Sequence, residues 1–130
     1  VWVVAEASGS SATTIDNQEC FSYVAPATMT ETTGQTAIGG TAVVQLEVED
    51  ASSIRLPFMN ISASISYGAN NTGGLVVTVG NCNSGSNRRT NTSGLCSLPI
   101  IVSGGNSSDI ATVSLSTTDG NTLTISVTVP

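Results

Sequence analysis

Histidine and lysine are both absent from this 130-residue chain, and charged residues make up only 9% of it. Without histidine there is no Ser–His or Cys–His nucleophile, and without lysine there is no Schiff base or Ser–Lys pair. The net charge of −6, with three arginines as the basic side chains, also lacks the clustered cations that nucleic acid and anionic membranes require. We therefore expect no enzyme and no nucleic-acid partner.

Carboxylates are the remaining groups for catalysis or metal binding. Glu47 and Glu49 lie two residues apart on a predicted strand, which places their carboxyl groups about 7 Å apart, within the range of glycosidase pairs. One Trp, two Tyr and two Phe are too few to line a typical sugar cleft, so a solvated strand edge is favoured. Asp50 with Asp109 or Asp119 would extend the pair to a calcium cluster, but no EF-hand spacing accompanies them. We expect no catalytic residue, no metal site and no cofactor.

Several features of the sequence indicate an extracellular, cell-surface protein. No apolar run reaches the roughly 20 residues of a membrane span. The chain begins at Val1 rather than Met, as it would after removal of a secretory leader. Four Asn-x-Ser/Thr sequons are candidate N-glycosylation sites: Asn60, Asn70, Asn91 and Asn106.

Serine and threonine are abundant, with 19 and 18 residues, and they alternate with apolar residues along most of the chain. This period of two is typical of half-buried strands, and no segment has the spacing of an amphipathic helix. The predicted strands are Trp2–Ala7, Glu19–Ala25, Ala42–Glu49, Ile54–Met59 running into Asn60–Tyr67, Leu75–Gly80, Cys96–Val102, Ala111–Ser116 and Leu123–Val129. Connectors at 67–74 and 117–122 predict hairpins, and the polar stretch 30–40 predicts a long connector. We expect an all-β antiparallel β-sandwich, immunoglobulin-like or jelly-roll, with about seven to eight strands.

Hydroxyl side chains line one side of three predicted strands. They are Thr122, Thr124, Ser126 and Thr128; Thr112, Ser114 and Ser116; and Ser62, Ser64 and Ser66. The favoured interpretation is an uncharged solvent face, or a face that packs against copies of the same chain. O-glycosylation and a flat threonine array of the ice-binding kind are alternatives.

Three cysteines permit three single-bridge pairings. Cys82 and Cys96 bracket a 13-residue polar loop that has no apolar periodicity to hold it. Closing this loop would remove about 3 kcal/mol of unfolded-chain entropy. We therefore favour a Cys82–Cys96 disulfide and expect Cys20, beside Phe21 on a strand, to be a buried free thiol. A zinc site is not expected, because the chain has no Cys-x-x-Cys pair and no histidine.

The apolar opening segment Val1–Ala7 needs a partner strand. It precedes a small polar tether, Ser8–Asn17, so we divide the chain into an N-terminal strand and tether at 1–10 and a single sandwich domain at 11–130. An ordinary crossover between two sheets would keep the opening strand in its own domain. Alternatively, the tether lets this strand leave and complete the sheet of the next copy.

Together these features resemble the extracellular pilins of archaea, in particular thread-type filaments whose subunits are similar to chaperone–usher pilins. The relevant features are the missing Lys and His, the Ser/Thr-rich strands, the scattered sequons and the tethered apolar N-terminal strand. In these families the N-terminal strand enters a groove of the adjacent subunit and builds a head-to-tail fibre. The resemblance implies a donor strand of Trp2, Val3, Val4 and Ala5, and an acceptor groove at Leu123, Ile125, Val127 and Val129.

The resemblance therefore predicts a structural subunit of an extracellular, pilus-like filament. Its partner is a second copy of itself, with covalent glycans as further partners and no membrane span. The absence of lysine excludes Lys–Asn isopeptide links between subunits. The alternative is a self-contained cell-surface binding or adhesin module with glycans as its ligand class.

Overall fold

The computed structural model describes the backbone of residues 2–4, 20–22, 26–32, 37–38, 40–118 and 121–130, and the side chains of residues 26–32, 40–118 and 121–130. Within these residues the chain forms ten β-strands, one short helical turn at Cys82–Ser84 and no α-helix. The strands are β1 (Trp2–Val4), β2 (Cys20–Ser22), β3 (Thr28–Glu31), β4 (Ala37–Ile38), β5 (Ala42–Glu49), β6 (Ser62–Tyr67), β7 (Val76–Val79), β8 (Leu95–Ser103), β9 (Ile110–Ser116) and β10 (Thr122–Thr128).

Two four-stranded sheets pack face to face. Sheet I has the order β3-β5-β8-β7, and sheet II has the order β4-β10-β9-β6. Neighbouring strands in both sheets are antiparallel, except that β4 runs parallel to β10. β1 and β2 form a separate antiparallel pair. The all-β sandwich predicted from the alternation is confirmed.

The core lies between the two sheets and follows the period of two. Along β5, β8 and β9, inward residues are buried and their neighbours in sequence face outward. The most deeply buried side chains are Val44, Leu46, Val48, Cys96, Leu98 and Ile100 of sheet I, and Val113, Leu115, Ile125 and Val127 of sheet II. Burying one Val, Leu or Ile contributes about 1.5–3 kcal/mol, so this layer supplies most of the free energy that holds the sheets together.

The segment Ile54–Met59 forms turns, and its prediction as a strand is wrong. The Asp50 carboxylate accepts hydrogen bonds from the backbone N–H groups of Ser52 and Ile54, at 2.8 and 3.0 Å, which bends the chain directly after β5. Phe58 has a φ of 57°, in the left-handed region that a strand residue does not adopt. The side chains of Ile54 and Phe58 are therefore exposed instead of packed inward.

Two connectors also differ from their predictions. The stretch 30–40, predicted as a connector, contains the end of β3 and all of β4, whose partners β5 and β10 lie elsewhere in the chain. The connector 67–74 is not a hairpin, because it crosses from β6 in sheet II to β7 in sheet I. The connector 117–122 does join antiparallel neighbours, β9 and β10.

Candidate functional site: sheet edges, a hydroxyl face and two loop ends

The inward side chains of β10, the predicted acceptor strand, belong to the core. Ile125 and Val127 are 1% and 0% exposed, while Leu123 and Val129 are half-buried against the same cluster. All four side chains pack in or against the hydrophobic core between the two sheets. An additional strand would therefore have to pair along the edge of β10.

That edge of β10 is partly covered. The N–H of Val129 donates to the carbonyl of Asp109 at 2.9 Å, so the odd-numbered residues of β10 turn their backbone groups toward β9. The even-numbered residues turn theirs to the opposite edge, which β4 occupies opposite Ser126 and Val127. A strand as short as β4 has no recognisable period, which is why this parallel pairing was not predicted.

The predicted donor strand, β1, pairs with β2 and with neither sheet of the sandwich among the described strands. The register places Trp2 opposite Ser22, Val3 opposite Phe21, and Val4 opposite Cys20. Ala5, the last predicted donor residue, lies outside the described residues, as does the side chain of Cys20. A pairing of three residues is short compared with the strands of the body.

The three predicted hydroxyl faces meet on the outer surface of sheet II, because β10, β9 and β6 are adjacent and in register. The rows are Thr122, Ser116 and Ser62; Thr124, Ser114 and Ser64; and Ser126, Thr112 and Ser66. Neighbouring positions lie about 4.8 Å apart across strands and about 6.8 Å apart along a strand. The outer surface of these three strands is therefore a regular, uncharged patch of hydroxyl groups.

A disulfide organises one end of the sandwich, formed by loops 50–61 and 80–94 and called the disulfide end. Cys82 and Cys96 are bonded, with their Cα atoms 4.9 Å apart. Both cysteines are buried, Cys96 within β8 and Cys82 in the helical turn. The pairing favoured from the sequence is thus present in the structure.

Thr90 joins the two loops of the disulfide end. Its side chain is 1% exposed, and its Oγ1 accepts a hydrogen bond from the Met59 N–H and donates one to the Leu56 carbonyl, both at 2.8 Å. Its backbone N–H donates to the Met59 carbonyl, and its carbonyl accepts from the Phe58 N–H. These four bonds hold the turn that exposes Phe58, and a linear pattern contains no sign of them.

The opposite end, formed by loops 68–75 and 104–109, is called the Asp109 end. Asp109 is 4% exposed and lies directly before β9. Its backbone carbonyl also accepts from Val129, so the residue joins the last strand to both loops. From the sequence, Asp109 was considered only as a metal ligand. Its actual partners are backbone N–H groups from two separate loops, and the linear sequence does not show that these loops meet.

The Asp109 carboxylate is satisfied by backbone donors. Oδ2 accepts from the N–H groups of Asn106 at 2.8 Å and Gly73 at 2.9 Å, and Oδ1 accepts from the Thr72 N–H at 3.2 Å. These bonds, the one from Asn106 first, lower the pKa of Asp109 below its usual value, although burial acts in the opposite direction. Gly73 is required here, because a Cβ on it would lie 2.1 Å from the Asn106 nitrogen.

The four sequon asparagines are all exposed: Asn60, Asn70, Asn91 and Asn106. N-glycosylation would modify the side-chain nitrogen of each asparagine. In Asn106 this nitrogen donates a hydrogen bond to Thr72 Oγ1 at 3.1 Å. Asn91 instead uses its side-chain oxygen, which accepts from the N–H groups of Ser93 at 2.8 Å and Leu95 at 3.1 Å. Glycosylation at these positions stays a prediction.

Glu47 and Asp50, two of the acids considered as catalytic or calcium-binding groups, have local partners. Glu47 forms an ion pair with Arg55, and Asp50 is used in the turn after β5. In the part of the chain that the structure describes, no group of three or more His, Cys, Asp or Glu is arranged to hold a metal ion.

The three arginines, Arg55, Arg88 and Arg89, all lie in the loops of the disulfide end. Arg89 donates from Nε to the side-chain oxygen of Asn60 at 3.3 Å. No helix among the described residues is long and apolar enough to cross a membrane.

Comparison with known proteins supports the fold. No protein-family profile and no curated protein matches the chain. Among solved structures, it is similar to domains 4 and 5 of the S-layer protein SbsC, with a TM-score of 0.50 and 13% sequence identity. The match covers 82% of this chain and 53% of that one, so this chain spans about half the length of its neighbour. At this identity the likeness is one of fold, and the fold that it supports is the β-sandwich.

Proposed function

We propose that the protein is a structural subunit of an extracellular, pilus-like filament, in which the N-terminal strand of one copy pairs with β10 of the next. Its partner is then a second copy of the same chain, and it has no catalytic role. The observation that carries the proposal is the position of β1. Among the described strands it pairs only with β2, so its apolar residues complete neither sheet of the sandwich.

Sheet II offers an edge to the incoming strand. β4 covers β10 only opposite Ser126 and Val127, and the outward backbone groups of Thr122 and Thr124 have no partner among the described residues. A strand placed there gains main-chain hydrogen bonds along β10. Because Ile125 is buried, this contact is an edge pairing and not the filling of a deep groove.

Three further observations favour a surface location. The structural neighbour is part of an S-layer protein. The Cys82–Cys96 disulfide is typical of oxidising, extracellular compartments. The exposed sequons suit a glycosylated exterior. A low charged fraction is also compatible with subunits that pack closely together.

The test is negative-stain electron microscopy of the full-length protein, paired with SDS gels run before and after boiling. Thin fibres and a ladder that collapses on heating are expected. Val4→Asp should abolish the fibres, because it places a charge in the apolar donor strand. Ser8→Asp adds the same charge in the tether and should keep them. Both variants should retain the unfolding midpoint of the body, since β1 belongs to neither sheet.

The acceptor edge is tested separately. Thr124→Lys places a cation on β10 beside the part of its edge that β4 does not pair with, and should prevent fibres. Thr78→Lys makes the same change at an exposed position of β7 in sheet I and should leave them intact. Fibres that persist in both Val4→Asp and Thr124→Lys would overturn the proposed assembly.

A closed binding module is the second candidate, favoured by the completeness of the core. Ile125 and Val127 are buried in one cluster with the core residues of both sheets. If this candidate is correct, full-length protein forms no fibres at any concentration. Val4→Asp then leaves its sedimentation unchanged.

A further inference from the structure

The free edge of β6 carries backbone groups that no described residue binds. The N–H of Gly68, just after β6, donates to the carbonyl of Ile110 at 2.9 Å. The backbone N–H and C=O groups of the even-numbered residues of β6 therefore point toward β9. The backbone groups of Ala63, Ile65 and Tyr67 therefore point away from the sheet. They have no hydrogen-bond partner among the described residues.

The beginning of the same edge is already used for strand pairing. Just before β6, Asn60 forms an antiparallel bridge with Arg89, and the Ile61 N–H donates to the Arg88 carbonyl at 2.8 Å. This segment, 88–90, ends where β6 begins. The geometry of the edge thus accepts an antiparallel neighbour, and the positions along β6 itself are left open.

β6 also lacks the features that usually protect an edge strand. Its six residues contain no charge and no proline, and its register with β9 is unbroken. The edge of β7 on the same side of the sandwich is different, because the hydroxyl of Tyr67 accepts a hydrogen bond from the outward N–H of Val77 at 3.0 Å. The edge strand β3 carries Glu31. β6 is therefore the most accessible of these edges.

We propose that β6 pairs antiparallel with β6 of a second copy about a two-fold axis, so that sheet II continues from one molecule into the next. This contact is separate from strand donation to β10, which lies at the other edge of the sheet. It would join copies laterally, where donation joins them head to tail. Edge pairing through main-chain hydrogen bonds is a recurring mode of protein association.

Charge favours a second copy in the antiparallel orientation. Each chain has a net charge of −6, so copies repel one another, and a contact is least opposed where carboxylates are absent, as along β6. Arg88 and Arg89 lie beside the start of β6, and the loop after it, 68–72, has no charged residue. Antiparallel pairing places each arginine pair next to the uncharged loop of the other copy. Parallel pairing would bring the two arginine pairs together.

The two-fold axis also specifies a register. With outward groups at Ala63, Ile65 and Tyr67, symmetry places Ile65 opposite itself and Ala63 opposite Tyr67, which gives about six hydrogen bonds. Ser64 then lies opposite Ser66 of the other copy in a pair whose Cα atoms are about 4.5 Å apart. The hydroxyl faces of the two molecules become one continuous surface.

This register is tested by disulfide cross-linking of the full-length chain. In a Cys20→Ser background, the double variant Ser64→Cys, Ser66→Cys is oxidised with copper–phenanthroline and run on non-reducing gels. A covalent dimer is expected from the double variant alone. Either single variant should run as a monomer on the same gel, because identical positions lie diagonally across the axis, too far apart for a disulfide.

Sedimentation velocity supplies the second test. Ser64→Lys should weaken dimerisation by about tenfold or more, since it introduces a charge on the edge strand of both copies. Ser114→Lys is the matched control, in the same hydroxyl row but on the central strand β9, and should dimerise like the parent. Melting curves that match the parent's establish that each variant is folded.

The outcomes separate this contact from strand donation. Dimers that persist in Val4→Asp, which removes the donor strand, support the β6 contact even if no fibres exist. Cross-linking of the single variants, or equal loss of dimers in Ser114→Lys, would overturn it in favour of contact through the hydroxyl face. No dimer from the double variant, with loss of fibres in Ser64→Lys, would mean that the donor strand occupies β6 and would also overturn it.

Discussion

The two ends of the sandwich each close around one buried polar side chain, and the two side chains differ in chemistry. At the disulfide end, the neutral hydroxyl of Thr90 accepts one hydrogen bond and donates another, next to a covalent bridge. At the Asp109 end, a carboxylate accepts from the N–H groups of three residues in two loops. Polar loops need such anchors because their buried backbone groups must be paired.

The difference determines which solution condition weakens each end. A threonine hydroxyl does not titrate near neutral or acid pH, so the contribution of Thr90 does not depend on pH, and the bridge beside it responds to reductant. Asp109 has no covalent partner, so its end responds to acid and not to reductant. The anchors of the two loop systems therefore fail under separate conditions.

The largest expected effect is loss of the covalent bridge. The double variant Cys82→Ser, Cys96→Ser should lower the free energy of unfolding by about 3 kcal/mol, because the loop is no longer closed in the unfolded chain. Urea unfolding followed by far-ultraviolet circular dichroism measures it. Cys20→Ser is the control, and its stability should respond to reductant like that of the parent. An unchanged urea midpoint in the double variant would show that the disulfide does not stabilise the disulfide end.

Replacing the carboxylate at the other end should have the next largest effect. Asp109→Asn keeps the shape of the side chain but presents an NH₂ group to backbone N–H donors, so it should destabilise the protein at neutral pH. Because the pKa of Asp109 is lowered on folding, its contribution is fully present above the unfolded-state pKa of about 3.9 and is lost as pH falls through the folded-state pKa.

The measurement is urea unfolding of parent and Asp109→Asn at a series of pH values. The difference between the two proteins should be constant near neutral pH and should shrink in acid below the unfolded-state pKa. Asp50→Asn, in an exposed turn, is the control for nonspecific effects of removing an acid. A difference that grows toward acid would contradict the assigned sign.

Thr90→Val should cost less, about 1–3 kcal/mol, because it leaves the Met59 N–H and the Leu56 carbonyl without a buried partner. The loss should be the same at neutral and acid pH, unlike that of Asp109→Asn. Thr92→Val, at an exposed position nearby, is the control. A Thr90→Val loss that varies with pH would show that the two ends are not chemically distinct.

The smallest expected effect is the coupling between the ends. They are separated by the length of the strands, about 20 Å for six or seven residues, so combining Asp109→Asn with Thr90→Val should give additive losses within about 0.5 kcal/mol. A double-mutant cycle in urea measures the coupling. A larger coupling would mean that the central strands transmit a change from one end to the other.

Alternation predicted the strands that have one face in the core. Within a residue or two, it located β5, β8, β9 and β10, because each places an apolar side chain inward at every second position. It missed β3 and β4, which are too short to have a period. It wrongly extended a strand over Ile54–Met59, where Asp50 and Thr90 hold turns through hydrogen bonds that the linear sequence does not contain.

The same division applies to the candidate site. The hydroxyl faces and the Cys82–Cys96 pair were recognised, because residue type and spacing suffice to identify them. The free edge of β6 was not, because an edge is a property of strand order and not of any single strand. The structural role of Asp109 was not predicted, because the backbone N–H groups that its carboxylate binds come from two loops that are distant in the sequence.

The position of the arginines has a consequence for limited proteolysis. Trypsin cleaves after Lys or Arg, and the chain has no Lys and only Arg55, Arg88 and Arg89, all at the disulfide end. A cut after Arg88 or Arg89 falls inside the loop that Cys82 and Cys96 close. The nicked chain would keep its full mass on a non-reducing gel and separate into two pieces only after reduction.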